Sequence, residues 1–180
     1  MTPVASREPA GSIVACTSAS QAGWLTLRNQ LWPHHDQAAH LAEMEAFCRE
    51  PGRYAQFLFL APSGQAIGLV ELTLRSDYVH GASTSPVAYV EGLFVSPSHR
   101  RQGVARALLH RSETWALRCG CQELASDALL DNTASHGMHR ALGFRETDRV
   151  VFFIKAVARD LNPPSSGRSK ACFAAFFRRR

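Results

Sequence analysis

Residues 89–109 have the sequence YVEGLFVSPSHRRQGVARALL, and this stretch decides the fold. Its first half predicts a strand, because it is rich in β-branched, aromatic and other apolar side chains, namely Val90, Leu93, Phe94 and Val95. Pro97 ends the strand, since proline fixes φ and cannot donate to a ladder. A basic loop with one glycine follows, and apolar residues at helical spacing come directly after it. The stretch therefore predicts a strand, a loop and a helix in immediate succession.

The basic loop, residues 100–105 (RRQGVA), has the chemistry of a pyrophosphate-binding loop. Its small residues let the backbone approach a ligand closely, and the free amides at the start of the helix can donate hydrogen bonds to phosphate oxygens. The helix dipole and the arginines add positive charge. The loop therefore predicts a ligand that carries phosphate groups.

The same loop resembles motif A of the GNAT superfamily of acetyl-CoA-dependent N-acetyltransferases, whose pattern is Q/R-x-x-G-x-G/A. The loop pattern also occurs by chance, whereas the strand directly before it, EGLFVSPSHR, makes the match specific. The resemblance implies acetyl-CoA as the co-substrate and no metal. The residues that it assigns to the cofactor are Leu93, Phe94, Val95, Arg100, Arg101, Gln102, Gly103, Val104 and Ala105, with Asn132 and Ser135 along the pantetheine arm.

The rest of the chain fits the same family. Periodicity and turn residues predict strands over residues 13–16, 54–61, 66–75, 88–95, 123–127 and 149–158. They predict helices over residues 37–49 and 103–119, and two more that begin after Ser18 or Ser20 and after Asn132 or Thr133. This order is similar to the GNAT architecture. We therefore expect an α/β fold (α+β type), a single GNAT-like domain with a mixed central sheet flanked by helices, over residues 12–160.

A second family signature and the two ends of the chain complete this prediction. Residues 139–144 (HRALGF) resemble the family's Tyr-x-x-x-Gly-Phe, with His139 in the place of the tyrosine. Residues 1–11 are expected to be disordered, and residues 161–180 to form a basic extension. That extension holds five of the 20 basic residues and no acid, which leaves 15 basic against 15 acidic residues before it. The net charge of +5 therefore does not predict nucleic-acid binding by the domain.

Location and metal content are bounded by simple counts. No run approaches the roughly 20 apolar residues that cross a bilayer, and the first ten residues lack a basic segment followed by an apolar core. Five irregularly spaced cysteines fit a reduced, cytoplasmic protein better than a disulfide framework. The histidines at 34, 35 and 40 lack the accompanying ligands of a metal site, so we expect none.

The acceptor is indicated by segments outside the loop. In chain order these are residues 30–33, 77–79, 85–87, 90–95, 125–127 and 141–150. Together they resemble the aminoglycoside 6′-N-acetyltransferases, enzymes that inactivate antibiotics carrying an aminosugar. The resemblance implies an aminoglycoside acceptor and antibiotic resistance. It also implies a homodimer, because members of the family often pair through strands or C-terminal segments.

Five residues are assigned to the acceptor by this resemblance: Trp32, Tyr78, Glu91, Asp127 and Asp148. An aminoglycoside is a polycation covered with hydroxyl groups, so its site needs carboxylates and a flat apolar wall. Glu91 lies in an apolar strand, where burial of an unpaired carboxylate is costly, and this favours function over a solvated strand edge. Asp127 either caps a turn or binds the acceptor, and Asp148 either pairs with nearby arginines or faces the aminosugar. Trp32 and Tyr78 suit packing as well as ligand contact.

The expected reaction is direct attack of the 6′-amine on the acetyl thioester. Asp127 or Glu91 would accept the ammonium proton, directly or through water, and backbone amides near Leu93 and Val95 would polarise the thioester carbonyl. Many GNAT enzymes have a tyrosine in their last strands that protonates the leaving thiolate. Residues 151–153 (VFF) offer no hydroxyl there, so no general acid is assigned.

Three other functions are open. Acetylation of another small amine, such as a polyamine or a peptide terminus, differs only in the acceptor wall. Non-catalytic sensing of acetyl-CoA is disfavoured by the intact 100–105 loop and the retained carboxylates. Nucleic-acid binding led by the tail would depend on residues 161–180.

Overall fold

A five-stranded mixed sheet forms the centre of the domain. Its strands are β1 (Ser12–Ala15), β2 (Tyr54–Leu60), β3 (Ala66–Arg75), β4 (Val87–Val95) and β5 (Leu124–Ser126). They lie in the order β1-β2-β3-β4-β5; the first four pair antiparallel, and β5 runs parallel to β4. The predicted mixed sheet is confirmed. The computed structural model describes residues 9–156, so the predicted extension 161–180 and most of the predicted disordered segment 1–11 lie outside the described residues.

Within the described part of the chain, four α-helices accompany this sheet. They are α1 (Trp24–Leu31), α2 (Gln37–Arg49), α3 (Val104–Arg118) and α4 (Thr133–Ala141), and a short 3₁₀ helix (Pro97–His99) follows β4. Asp36 caps α2 by accepting from the Ala39 amide at 2.8 Å. Among the described residues, no helix has the length and apolar character needed to cross a membrane.

The start of α1 differs from the prediction. Neither Ser18 nor Ser20 caps the helix, because their hydroxyls lie 2.8 Å from each other in the preceding turn. The helix begins at Trp24, after Gly23 with a φ of 86°. A Cβ on Gly23 would clash with the Cβ of Ala66 at the start of β3. Close contact with β3, and not a capping hydroxyl, therefore sets where α1 begins.

Each face of the sheet carries an apolar layer. Side chains alternate between the two faces along a strand. Phe57 and Val70 therefore contact α3, which buries Leu108 against them. On the opposite face, Leu58 and Leu69 pack against α1 and α2. The two layers hold α1 and α3 on opposite faces of β3 and β4.

A buried cluster of charged side chains joins α1 and α2 to β3. Glu71 of β3 is 3% exposed and accepts from the Trp24 indole at 2.6 Å and from Arg28 Nη1 at 3.1 Å. Arg28, which is 2% exposed, also donates to His40 Nδ1 at 3.2 Å and pairs with Glu43. Burial raises the pKa of Glu71, while the Arg28 guanidinium and the Trp24 indole oppose that rise. Charge-assisted hydrogen bonds thus fix both helices to the sheet.

The predicted strand over residues 149–158 is wrong for the part that the structure describes. Residues 149–156 have no regular secondary structure, and the side chains of Phe153 and Ile154 are almost fully exposed. Apolar content predicted a strand here, but a strand also needs a neighbour for its backbone hydrogen bonds. Among the described residues, 149–156 belong to a different unit from residues 9–148.

Arg28→Leu should lower the free energy of unfolding by about 3–5 kcal/mol, because it leaves the Glu71 carboxylate buried without its cation. Urea denaturation followed by circular dichroism measures the loss. Arg140→Leu is the matched control: Arg140 pairs with Glu146 at 2.9 Å but is 59% exposed, so its removal should cost about 1 kcal/mol or less. Equal losses in the two variants would contradict this assignment.

Candidate active site

β4 and β5 separate near the middle of β4. Their parallel pairing ends at the Val90–Ser126 pair, because β5 stops at Ser126 while β4 continues to Val95. Within residues 9–156, the backbone of residues 91–95 therefore has a strand partner only on the β3 side. Its other side is an open strand edge, which can form hydrogen bonds with an extended ligand.

An extra residue interrupts the pairing of β4 with β3. Glu71 pairs with Gly92 whereas Leu72 pairs with Val90, so Glu91 is left between them. Such a bulge bends the strand and redirects a side chain. Glu91 is not fully buried in its apolar strand, since 32% of its side chain is exposed, and its predicted function stays a prediction. The bulge places the carboxylate at the surface, at the point where β4 leaves β5.

The basic loop 100–105 lies between the end of β4 and the start of α3. Gly103 has a φ of 89°, and Arg101 also takes a left-handed conformation with a φ of 62°. Arg100 Nε donates to the Val95 carbonyl at 3.1 Å, and the Gln102 side-chain amide donates to the Ser98 carbonyl at 2.9 Å. The side chains of Arg100 and Gln102 thus fix the loop conformation, and the amides of the first turn of α3 remain as donors for a ligand.

The helix that follows the loop approaches the sheet very closely. Gly68 is opposite Val95 in the register, and a Cβ at Gly68 would lie 2.8 Å from Cγ1 of Val104. Val104 is itself 2% exposed and belongs to the core. Among the predicted cofactor residues, Val104 can therefore offer a ligand only its backbone. This contact places the start of α3 beside the open end of β4.

The predicted catalytic carboxylates lie around Tyr89 of β4. The Tyr89 hydroxyl donates to Asp127 Oδ1 at 2.7 Å. Arg75 donates to Glu91 Oε1 from Nε at 3.2 Å and from Nη2 at 2.7 Å. The Arg75 guanidinium carbon lies 3.5 Å from the centroid of the Tyr89 ring. The structure therefore brings Glu91 and Asp127 together through two residues, Arg75 and Tyr89, that the sequence analysis did not identify.

Trp32 lies against the same part of β4. A Cβ at Gly92 would be 2.6 Å from Cη2 of Trp32 and 2.8 Å from Cδ2 of Leu31, so only glycine allows this contact. Arg28 approaches the indole to 5.0 Å. Trp32 is only partly buried, so an aromatic surface borders the carboxylates, as an aminosugar site requires.

Tyr78 and Asp148 form a second group, around His80. Tyr78 is 77% exposed, and its hydroxyl lies 3.4 Å from His80 Nδ1. The same nitrogen is 3.9 Å from a carboxylate oxygen of Asp148. His80 lines a cleft of about 270 Å³ that also borders Ser126 at the end of β5. The predicted acceptor residues thus form two groups, one around β4 and one around His80 in the loop of residues 76–86.

Glu123 anchors this loop, a role that no local pattern in the sequence indicates. Its carboxylate accepts from the amides of Ser83 and Thr84 at 2.8 and 2.7 Å and from their hydroxyls at 3.1 and 2.6 Å. These bonds lower the pKa of Glu123 to about 2, and the bond from the Thr84 hydroxyl contributes most. Glu123 stays ionised at neutral pH and holds the loop that carries Tyr78.

The start of α4 lies at the same end of β5. Asn132, a predicted pantetheine contact, caps the helix and accepts from the Ser135 amide at 3.1 Å. Ser135, the other predicted contact, has its hydroxyl 3.2 Å from His139 Nδ1. The other ring nitrogen of His139 lies 3.0 Å from the Ser126 hydroxyl. His139, in the place of the family's tyrosine, therefore links α4 to the point where β5 ends.

His35, His40 and Glu43 place possible metal ligands within 4.8 Å of one another. Their surroundings are unsuitable for a cation. Both nitrogens of His40 have partners, since Nδ1 accepts from Arg28 and Nε2 lies 3.3 Å from the Trp32 carbonyl. Burial and the Arg28 charge lower the pKa of His40, and the same charge repels a metal ion. We therefore assign this cluster to the support of α1.

Comparison with known proteins agrees with this geometry. The chain matches the model of the acetyltransferase (GNAT) family over residues 21–144. It is 47% identical over 146 residues to an aminoglycoside N(6′)-acetyltransferase type 1 of Acinetobacter haemolyticus, covering 81% of this chain and 99% of the relative. It is 46% identical over 132 residues to a protein of the same name from Salmonella typhimurium strain LT2, covering 73% of this chain and 90% of the relative.

Solved structures show the same similarity. The apo crystal structure of the aminoglycoside antibiotic 6′-N-acetyltransferase AAC(6′)-IG from Acinetobacter haemolyticus has a TM-score of 0.76 at 46% identity, covering 82% of this chain and 99% of that chain. The structure of AAC(6′)-Iy with the bisubstrate analogue CoA-S-monomethyl-acetylneamine has a TM-score of 0.77 at 42% identity, covering 81% and 98%. The predicted fold is confirmed. The chain belongs to the GNAT acetyltransferase family, among the aminoglycoside N(6′)-acetyltransferases.

Proposed function

We propose that this protein transfers the acetyl group of acetyl-CoA to the 6′-amine of aminoglycoside antibiotics and thereby confers resistance to them. One observation carries the proposal: Glu91 lies where the open edge of β4 begins, between the start of α3 and the carboxylate of Asp127. A donor that binds along the edge and an acceptor that binds the carboxylates meet at this point. The similarity to enzymes with this activity supports the same reaction.

Acetyl-CoA would bind along the open side of β4. The pyrophosphate is expected at the 100–105 loop, where amides at the start of α3 and the side chains of Arg100 and Arg101 favour an anion. The pantetheine arm, which is extended and carries amides, can pair with the backbone of residues 93–95 as an added strand does. Ser135 is expected beside it. Because Asn132 Oδ1 already accepts from an amide of its own helix, Asn132 would act through its NH₂ group.

The acceptor would bind on the α1 face of β4. Glu91 and Asp127 attract its ammonium groups, and Trp32 offers a flat surface to a sugar ring. Tyr78 in the loop of residues 76–86, and Asp148 beside His80 of that loop, are expected to contact further parts of the aminoglycoside. This arrangement favours a cationic, sugar-bearing acceptor over a small aliphatic amine, because the two groups of residues offer a wide polar surface.

The reaction begins when Glu91 or Asp127 accepts a proton from the 6′-ammonium, directly or through water. The neutral amine then attacks the thioester carbonyl carbon, and backbone amides near Leu93 and Val95 stabilise the oxyanion. The nitrogen of the intermediate then loses its second proton to solvent, and the intermediate collapses to the amide as the C–S bond breaks and releases coenzyme A as a thiolate. Residues 151–153 supply no hydroxyl, so the thiolate takes its proton from solvent. Holding both substrates in place supplies much of the acceleration.

We infer three further properties. The catalytic domain contains the family match over residues 21–144 and the compact unit that ends at Asp148, and its extension to residue 160 stays a prediction. The protein is cytoplasmic, since the four cysteines in the described part of the chain are free thiols, as expected in a reducing compartment. It acts as a homodimer, because exposed apolar side chains at residues 150–154 are typical of an interaction surface.

The purified protein should release coenzyme A thiol when acetyl-CoA is mixed with an aminoglycoside that carries a 6′-amine, and not with one that carries a 6′-hydroxyl. Spermidine and a peptide amine, assayed alongside, test acetylation of other amines. Glu91→Gln and Asp127→Asn should leave acetyl-CoA binding unchanged, and the variant that removes the base should lower kcat by about 100-fold or more. If none of the aminoglycosides in the panel supports thiol release, the proposed acceptor is ruled out.

Gly92→Ala should lower kcat/KM for the aminoglycoside by about 10- to 100-fold, because the new methyl group displaces the Trp32 indole from β4. Acetyl-CoA affinity, measured by calorimetry, should be unchanged. Gly52→Ala is the matched control, since a Cβ there meets nothing within 4 Å. If Gly92→Ala and Gly52→Ala have the same acceptor kinetics, Trp32 does not form the acceptor wall.

A further inference from the structure

The two carboxylates of the candidate site are joined by one unbroken series of contacts. Arg75 binds Glu91 Oε1 through Nε and Nη2. The guanidinium lies over the Tyr89 ring at 3.5 Å, and the Tyr89 hydroxyl donates to Asp127 at 2.7 Å. The series therefore runs from Glu91 to Asp127 through an arginine and a tyrosine that are not used in the reaction itself.

The strand register shows that the contact between Arg75 and Glu91 is not an ordinary cross-strand pair. Arg75 is opposite Val87, whereas Glu91 lies four residues further along β4. Since a strand advances about 3.3 Å per residue, the Arg75 side chain reaches Glu91 only by lying along β4, across the ring of Tyr89. Arg75 is 19% exposed, so the stack restricts its movement far more than that of a solvated surface arginine.

The hydrogen bonds leave one oxygen of Glu91 for the acceptor. Both bonds from Arg75 go to Oε1, and Oε2 accepts no hydrogen bond from residues 9–156. An ammonium group can therefore bind Oε2 while Arg75 holds Oε1. The guanidinium also compensates one of the two carboxylate charges, so the three groups present a formal charge of −1 to the acceptor.

We propose that Arg75 and Tyr89 act as one positioning unit, in which Arg75 orients Glu91, Tyr89 orients Asp127, and their stacking couples the two carboxylates. The inference rests on the proposed function of this site. Neither residue exchanges a proton or touches the reacting atoms. Loss of the unit leaves the carboxylates charged but poorly oriented, so the acceptor still binds while the attacking amine is misplaced.

Tyr89→Phe and Arg75→Ala test the unit. Each should lower kcat by about 10- to 100-fold, as expected for loss of a hydrogen bond to a charged group, while the KM for the aminoglycoside does not rise and acetyl-CoA affinity is unchanged. The double variant should have about the same kcat as the less active of the two single variants, because the effects of residues that act as a unit are not additive. Methylguanidinium added to Arg75→Ala should restore part of the lost kcat.

Arg53→Ala is the matched control. Arg53 also lies over a tyrosine, at 5.2 Å from the Tyr54 ring, and pairs with Glu50 at 3.9 Å, so its loss should leave kcat unchanged and unresponsive to methylguanidinium. Wild-type kcat in Tyr89→Phe or Arg75→Ala, multiplicative losses in the double variant, or absence of rescue would each overturn the inference. Tyr89→Phe removes a single oxygen, so it tests the unit even if Arg75→Ala fails to fold. Wild-type protein that acetylates no aminoglycoside would instead overturn the proposed function itself.

Discussion

The buried pair of Arg28 and Glu71 is the interaction on which the acceptor side of the molecule depends. A buried carboxylate is costly unless cations and hydrogen-bond donors surround it. Arg28 and the Trp24 indole both reach Glu71 only when α1 has one particular placement against β3. Glu71 is also the register partner of Gly92. Arg28 lies one helical turn before Trp32, whose ring covers Gly92. The ion pair that Glu71 of β3 forms with Arg28 therefore determines where the Trp32 ring lies against β4.

In the proposed reaction, β4 would separate the two substrates. On its β5 side, the edge of β4 beyond Val90 is open, because β5 has ended there. This edge leads to the start of α3, which suits an extended donor with a pyrophosphate. The α1 face of β4 carries Glu91 and Trp32 and suits a cationic sugar. The bulge at Glu91 lies at the border between these two regions. One irregularity in one strand thus explains how a thioester and an amine can meet.

The sequence was sufficient for features that are encoded locally. The loop 100–105, the cap at Asn132 and the order of strands and helices as far as α4 follow from patterns of a few residues, and the structure agrees with them. The sequence was insufficient where the outcome depends on register or on a distant neighbour. The bulge that exposes Glu91 depends on β3, the contacts of Arg75 and Glu123 join segments far apart in the chain, and residues 149–156 form no strand although their apolar content predicted one. Local patterns contain no information on such pairings.

Amide hydrogen exchange upon substrate binding is the most direct test of the claim that donor and acceptor meet at β4. We predict that acetyl-CoA slows exchange in residues 93–95 and 103–106, and that an aminoglycoside added afterwards slows exchange in the loop of residues 76–86 and around Glu91. β1 and α2 should be unaffected by either ligand. Protection by acetyl-CoA at β1 or α2, with no change in residues 93–95, would contradict the account.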